Sequence, residues 1–236
     1  PHPVDEEGIV LNERPCDYYY VTPGHQVPTG VTMSSARRRQ LLEHAARHDA
    51  VIIEDDYDSE SNFTLNPLPA LKASDRSGRV VYVSSLSKAL SPGLRLGFMV
   101  ADPDLIDEAR ALRRLVYRHP PTNIQYQMAH FLAQGHYETH LRRYHYDSAQ
   151  RWERLHAALQ RYLPSCRALA GSEHANAFWL QTPAQINTQQ LTWRAAHAGV
   201  LIEPGARHFL SAAPPDNYFR MGFHAINPDA IAQGVE

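Results

Sequence analysis

Cysteine is scarce in this sequence, and long apolar runs and an excess of basic residues are missing from it. Only two cysteines, Cys16 and Cys166, occur among the 236 residues, far apart. This composition fits a reducing cytosol better than a disulfide scaffold. No apolar run reaches the length of a membrane span, and no signal-peptide pattern opens the chain. We therefore expect a cytoplasmic protein that does not enter a membrane.

The charge balance argues against a nucleic-acid-binding face within this chain. The formal net charge is −2 at pH 7, and the isoelectric point is about 6.8. Binding to DNA phosphates depends on a surplus of lysine and arginine, which this chain does not have. Contact with DNA would have to come from residues outside it.

Alternating strands and helices in the first part of the chain predict an α/β fold with a mostly parallel sheet. The continuous apolar run at 51–53 is typical of a strand buried on both faces. Ser34 or Ser35 is a candidate N-cap for the helix that follows the turn at 23–30. The predicted strands are 17–22, 51–53, 80–83 and 97–100, and the predicted helices are 36–47 and 103–118.

The second part of the chain has a different pattern. A long helical stretch at 123–163, broken near Gly135, leads into short strands at 175–181, 200–203 and 218–223. Helices at 188–198 and 228–235 lie between and after these strands. A chain of this length has room for one domain or for one and a half. We predict a large domain over residues 1–145 and a smaller α+β domain over residues 146–236.

The stretch from Arg79 to Val100, RVVYVSSLSKALSPGLRLGFMV, places one lysine in a turn between two apolar strands. Ser85 and Ser87 precede Lys88, and Arg95 follows it. A lysine held among apolar strands can lose its proton and condense with a carbonyl. An arginine and two hydroxyls suit a phosphate. A solvated surface loop is the alternative for this motif.

A second polar motif, EDDYDSE at Glu54 to Glu60, directly follows the apolar strand at 51–53. In open α/β sheets, ligands bind beyond the carboxyl ends of the strands, so this motif and the lysine turn can meet at one edge of the sheet. Acidic residues in such a loop can also be solvated, which is the alternative for Asp55, Asp56 and Asp58.

Three segments, VTPGHQVPTGVTMS, IIEDDYDSE and SSLSKALSPGLRLGF, together resemble a known family. They are similar to the aminotransferase-like domain of fold-type I pyridoxal-phosphate proteins, and more closely to the MocR subgroup of GntR-type transcriptional regulators. In that subgroup the domain follows a winged helix-turn-helix. The similarity runs from about Val4 to the end of the chain.

The resemblance implies pyridoxal 5'-phosphate as the cofactor and assigns roles within the two motifs. Lys88 would form the internal aldimine. Asp55, with Asp56 as the alternative, would hold the ring nitrogen, and Tyr57 would lie near the ring oxygen. The phosphate contacts would come from Ser85, Ser87 and Arg95.

One position departs from the aminotransferase pattern. Val27 stands before Pro28, where aminotransferases of this fold usually carry an asparagine that bonds the ring oxygen. The MocR subgroup often shows the same loss, which favours sensing over rapid turnover. His25 or Gln26 is a candidate replacement.

The resemblance also implies an effector site. Arg220, in YFRMGF, matches the aminotransferase arginine that binds the α-carboxylate of the substrate, and an ion pair on an edge strand is the alternative. MocR members that sense an ω-amino acid carry their arginine where this chain has Ala225. An α-amino acid or a related metabolite is therefore the predicted effector.

His136 and His140, in HYETH, have the spacing of a helical zinc pair. The glutamate is not at the position that a metalloprotease needs, and no third ligand is evident. We predict no metal site and assign both histidines to a solvated helix face.

Three functions fit these observations. The first is a sensing domain, in which an amine-bearing effector displaces Lys88 and changes DNA binding by an N-terminal module outside the chain. The second is a class I aminotransferase, and the third is a degenerate domain used for dimerisation. The resemblance implies a homodimer with the site at its interface. We expect the chain to be a fragment, whose missing N-terminal part carries the first phosphate turn and an aromatic that stacks on the cofactor.

Overall fold

The computed structural model describes residues 2–12, 16–58, 60, 67–169 and 176–236, and it begins with a short hairpin. In this hairpin, β1 (Val4–Asp5) pairs antiparallel with β2 (Gly8–Ile9). Residue 59 of the acidic motif and the expected start of a strand at 175 lie outside the described residues.

A four-stranded sheet forms the first part of the fold. Its strands, in spatial order, are β3 (Tyr18–Val21), β4 (Val51–Asp55), β5 (Val80–Ser85) and β6 (Gly97–Val100). β3, β4 and β5 run parallel, and β6 pairs antiparallel with β5. The predicted α/β fold with a mostly parallel sheet is therefore confirmed. The helices between these strands are α1 (Ser35–Arg47) and α2 (Leu71–Ser74).

Three helices follow: α3 (Pro103–Val116), α4 (Thr122–Ala133) and α5 (His136–Tyr162). Gly135 separates α4 from α5, at the break expected from the sequence, and its φ of 71° is left-handed. Glycine adopts this conformation without steric cost, because it has no Cβ. None of the helices in the described ranges combines the length and the apolar character that a membrane crossing demands.

A second four-stranded sheet forms the last part of the fold. It contains β7 (Arg167–Ala168), β8 (Ala177–Gln181), β9 (Glu203–Pro204) and β10 (Tyr218–Gly222), in the order β7-β8-β10-β9 with all pairs antiparallel. The helices here are α6 (Thr188–His197) and α7 (Ile231–Val235). The strand expected at 200–203 is reduced to the two residues of β9, and the helix expected at 228–235 begins with a 3-10 turn, Pro228–Ala230.

Side-chain caps fix the starts of α1 and α3. Ser34 Oγ accepts a hydrogen bond from the Arg37 backbone N at 3.1 Å, so Ser34 rather than Ser35 is the N-cap of α1. Asp102 caps α3 in the same way, by accepting from the Asp104 backbone N at 3.0 Å. Each bond satisfies an amide at the helix N-terminus that has no partner within the helix.

The buried apolar residues form two clusters. The first joins β3, β4 and α1 through residues such as Tyr19 and Ile52. The second joins α5, β8 and β10 through residues such as Phe178 and Phe219. α5 crosses the expected domain boundary at 145/146 without a break. The two clusters support a chain of two parts, and the position of the boundary stays a prediction.

The burial of β4 differs from the expectation on one face. Ile52 is fully buried, whereas Val51 and Ile53 are half-buried. On the neighbouring strand β3, Tyr18 and Tyr20 are 67% and 64% exposed. The described residues therefore cover one face of the sheet fully and the other in part, because α1 packs on the first.

Glu54 carries a carboxylate into the buried face of β4, where it is 1% exposed. Its Oε1 accepts from the Leu71 backbone N at 2.6 Å and its Oε2 from the Lys72 backbone N at 2.9 Å. Both donors lie at the start of α2, which has no side-chain cap of its own. Since side chains alternate along a strand, Asp55 points to the opposite face. Within the acidic motif, Glu54 therefore has a structural role, and the residues after it are left for a candidate site.

Replacing Glu54 by Gln should lower the free energy of unfolding by about 1–3 kcal/mol. A glutamine offers one oxygen where two backbone N–H groups need acceptors, so one buried donor loses its partner. Urea unfolding of both proteins measures the difference. Glu43→Gln, on the exposed side of α1, is the matched control. Equal losses in the two variants would contradict the structural role of Glu54.

Candidate functional site

Lys88 lies in the turn that follows β5, directed towards the loop that follows β4. Its Nζ is 2.7 Å from Asp58 Oδ1 and 4.4 Å from the centroid of the Tyr57 ring. The Lys88 side chain is 34% exposed, whereas that of Asp58 is 2% exposed. The carboxyl ends of two parallel strands thus bring the lysine turn and the acidic motif together, as sheets of this type do at their ligand sites.

Asp58 is the centre of this group of side chains. Its Oδ2 accepts a hydrogen bond from Asn176 Nδ2 and is 3.2 Å from His25 Nδ1, while its Oδ1 faces Lys88. The solvated-loop alternative is therefore wrong for Asp58. The role of Asn176 was missed, since 118 residues separate it from Asp58 and no local pattern marks it.

Tyr57 is fixed by two further contacts. Its hydroxyl donates to the His25 backbone O at 3.1 Å, and Asn176 Nδ2 donates to the hydroxyl oxygen at 3.3 Å. Burial raises the pKa of Tyr57 to about 12, so the phenol keeps its proton at neutral pH. Asn176 thus places an amide at this hydroxyl, whereas Val27, which stands where aminotransferases usually carry an asparagine, is exposed.

Asp55 and Asp56 point to different partners. The Tyr20 hydroxyl donates to Asp55 Oδ2, and the Tyr82 hydroxyl donates to Asp56 Oδ2 at 2.8 Å. The Asp56 backbone O also accepts from Ser84 Oγ at 2.8 Å. Both carboxylates accept from tyrosine hydroxyls, so the choice between them as the ring-nitrogen partner stays a prediction.

The residues predicted for a phosphate surround the lysine turn. Ser85, at the end of β5, lies opposite Gly97, where a Cβ would come within 2.9 Å of the Ser84 backbone O. Arg95 follows a short 3-10 helix with a left-handed φ of 48°, and it is exposed rather than buried among its apolar neighbours. It forms no ion pair with any residue that the structure describes, so its guanidinium is available to an anion. Ser87 is half-buried in the turn itself.

Arg220 projects from β10, an inner strand of the second sheet. Its Nη2 donates to Asn176 Oδ1 at 3.3 Å, and its Nη1 is 3.6 Å from Glu203 Oε2. Arg220 therefore forms an ion pair, as the alternative states, but it lies on an inner strand and its partner Glu203 lies on the edge strand β9. Asn176 connects Arg220 to Tyr57 and Asp58, which places the arginine beside the lysine turn.

α5 lines the same region, contrary to the expectation of a solvated face. His140 Nε2 is 2.6 Å from the Ala89 backbone O, next to Lys88. Tyr144 and Ser148, further along α5, place their hydroxyl oxygens 3.3 Å from His224 Nδ1. Within the described ranges, no group of three or more His, Cys, Asp or Glu residues could hold a metal ion.

His224 is a buried group that sequence reasoning missed. Its Nδ1 faces the two hydroxyls of α5, and its buried Nε2 has no hydrogen-bond partner among the described residues. Burial lowers the pKa of His224 to about 4, against an opposing influence of Asp58. The imidazole is therefore neutral at pH 7.

The sequence matches the family described as aminotransferase class I and II over residues 21–230. This range contains the lysine turn, the acidic motif and Arg220. The chain belongs to this family.

Curated relatives include regulators. The HTH-type transcriptional regulator TauR of Rhodobacter capsulatus is 38% identical, over 98% of this chain and 48% of its own length. The probable rhizopine catabolism regulatory protein MocR of Rhizobium meliloti is 34% identical, over 100% of this chain and 48% of its own length. The chain thus spans about half the length of these relatives. The predicted resemblance to the aminotransferase-like domain of MocR-type regulators is confirmed.

Solved structures with the same fold are aminotransferases. The kynurenine aminotransferase of Pyrococcus horikoshii, solved with PMP, superposes with a TM-score of 0.89 at 27% identity, over 99% of this chain and 61% of that one. LysN, the alpha-aminoadipate aminotransferase of Thermus thermophilus, solved with N-(5'-phosphopyridoxyl)-L-leucine, has a TM-score of 0.89 at 28% identity, over 99% and 62%. The family and these structures imply pyridoxal phosphate as the cofactor, and a lysine amine beside hydroxyls and an unpaired guanidinium fits that group.

The protein should lose more stability than a His224→Gln variant between pH 7 and pH 5. An unfolded histidine takes up a proton near pH 6.5, whereas native His224 resists until about pH 4. This stability is present above pH 6.5 and is lost as the pH falls towards 4, and the loss reaches about 2 kcal/mol at pH 5. Urea unfolding at both pH values measures it, with the exposed His197→Gln as control. An equal loss in wild type and His224→Gln would refute the assignment.

Proposed function

We propose that this chain is the pyridoxal-phosphate-binding, effector-sensing domain of a MocR-type regulator of the GntR family. The observation that carries the proposal is the position of Lys88, whose amine lies 2.7 Å from a buried carboxylate at the ends of two parallel strands. The protein would act as a cytoplasmic homodimer, and it would contact DNA through an N-terminal winged helix-turn-helix that is not in this chain.

Residues of the first sheet would hold the cofactor. Lys88 would bind its carbonyl carbon, Asp55 would keep its ring nitrogen protonated, and Tyr57 would lie near its ring oxygen. When bound, the cofactor supplies an electrophilic carbon and a ring that withdraws electrons from neighbouring bonds. The phosphate is held by Ser85, Ser87 and Arg95.

An amino-acid-like effector would bind between the two sheets. Its carboxylate pairs with Arg220, which is already turned towards the site by Asn176. Its amine would displace Lys88, and the Lys88 nitrogen would take up the protons that the effector amine loses and leave as an ammonium.

Such a ligand would connect the two parts of the fold. Lys88 and Asp58 belong to the loops of the first sheet, whereas Arg220 lies on the second sheet and Asn176 directly before it. A ligand that contacts both parts favours the arrangement in which they lie closest together. A population shift of this kind, set by differential affinity, is how effector binding could reach a DNA-binding module.

The alternative is a PLP-dependent class I aminotransferase that acts on an amino acid. It is favoured by the TM-score of 0.89 to two aminotransferases. Release of a keto acid over many turnovers, without any effect on DNA binding, would select this alternative.

Lys88→Ala should abolish the visible absorbance that the purified protein shows with pyridoxal phosphate, because no other amine lies at this position. The chain has only two lysines, Lys72 and Lys88. Lys72 is engaged with Asp75 and the Val80 backbone O, and Lys72→Arg is therefore the matched control. Borohydride reduction and peptide mass mapping should place the cofactor on Lys88. Retention of the absorbance in Lys88→Ala would overturn the proposal.

Arg220→Gln should raise the concentration of α-amino acid needed to change DNA affinity by roughly 10- to 100-fold, since a charge-assisted pair is lost. The measurement is fluorescence anisotropy of the full-length protein on DNA from upstream of its own gene, with a panel of α-amino acids and the corresponding amines without a carboxylate. Those amines should show no difference between wild type and variant. Arg207→Gln, an exposed partner of Glu203, is the control. An unchanged response of Arg220→Gln would remove its carboxylate role.

A further inference from the structure

The ion pair between Lys88 and Asp58 bears on how far the chemistry of this domain can proceed. We propose that Asp58 holds the Lys88 nitrogen as an ammonium once an effector has displaced it, and that this ion pair stops the domain before transamination. The inference rests on the proposed function and deepens it, because it gives a physical reason why a domain of this fold would sense an amine without converting it.

The Asp58 carboxylate is fixed in place from the side opposite to Lys88. His25 and Asn176 both contact Oδ2, so the carboxylate cannot turn away from the lysine without losing these contacts. Its side chain is 2% exposed, and a carboxylate so enclosed is stable only with a cation or several donors around it. Oδ1, at 2.7 Å from Nζ, is therefore directed at the lysine by the rest of the protein.

Transamination requires the opposite state of the same nitrogen. After the exchange, a neutral Lys88 amine would have to accept a proton from the α-carbon of the effector, and the bonding pair of that C–H bond would move into the cofactor ring. An ammonium has no lone pair with which to accept this proton. Asp58 thus favours the displaced, charged state of Lys88 and, for the same reason, opposes the proton transfer from the effector α-carbon.

Other charged and titratable groups that act on Lys88 lie in the loop after β4, on β10 and in the segment after β10. Tyr57 presents its ring face to Nζ, which also favours the ammonium. Arg220, on β10, opposes a positive charge on Lys88. His224, in the segment after β10, is neutral at pH 7. Burial lowers the pKa of the Lys88 amine, and Asp58 limits that fall. Removal of the Asp58 charge should therefore lower the pKa of the Lys88 amine further.

The variant Asp58→Asn, in the full-length protein, removes this charge with little change of shape. In the cofactor-free protein, acetic anhydride labelling over a pH series, read by peptide mass spectrometry, gives the titration midpoint of Lys88 with Lys72 as internal reference. The midpoint should fall by about one pH unit or more. In the cofactor-loaded protein, a single turnover with α-amino acids should release keto acid at least ten times faster than wild type. The exposed Asp107→Asn should behave like wild type.

Each outcome decides the inference. An unchanged or higher midpoint for Lys88 overturns it, and so does a lower midpoint without faster release of keto acid. If Asp58→Asn does not fold, the wild type supplies the test: at saturating effector its keto acid release should rise with pH as Lys88 loses its proton, and a flat profile overturns the inference. Failure of the proposed function is recognised separately, by visible absorbance that persists in Lys88→Ala.

Discussion

A buried carboxylate must be surrounded by cations or hydrogen-bond donors, and the site of this protein is built around that requirement at Asp58. Burial of an unpaired carboxylate costs several kcal/mol of free energy. The residues that pair with it are therefore as necessary to the site as the carboxylate itself. Asp58 collects a lysine from one strand end, a histidine from the turn at 23–30 and an amide from the segment before β8. None of these segments is close to another in sequence, and the chemistry of the site follows from their meeting at one oxygen pair.

The contacts around Asp58 also include hydrogen bonds that join the two apolar clusters. The clusters are separate, since the first contains β3 to β5 and the second contains β8 and β10. Asn176 donates across the gap to Tyr57 and Asp58 and accepts from Arg220 on the second sheet. Polar contacts of this kind exchange readily for ligand contacts, whereas packed cores do not. Under the proposed function, an effector that replaced them would move one cluster against the other without disturbing either core.

Local patterns in the sequence predicted the elements of the fold, because apolar runs, helix caps and glycines determine the backbone conformation only of the residues near them. The parallel strands, the Ser34 cap and the break at Gly135 are of this kind. The polar partners of the site could not be predicted in the same way, since Asn176 meets Asp58 across 118 residues and His224 meets Ser148 across 76. A polar residue reveals its role only when the distant chain is in place.

The difference between a sensor and an enzyme on this fold need not lie in the fold. A TM-score of 0.89 to aminotransferases shows that the architecture serves catalysis elsewhere. Both functions begin with the same exchange of one amine for another, and they part at the next proton transfer. That transfer depends on whether the Lys88 nitrogen is charged. The Asp58 carboxylate, at 2.7 Å, can influence this charge, because an opposite charge at such a distance shifts a pKa by about 1–3 units. Selection could therefore convert one function into the other through the residues that surround Lys88, with both sheets and both cores left as they are.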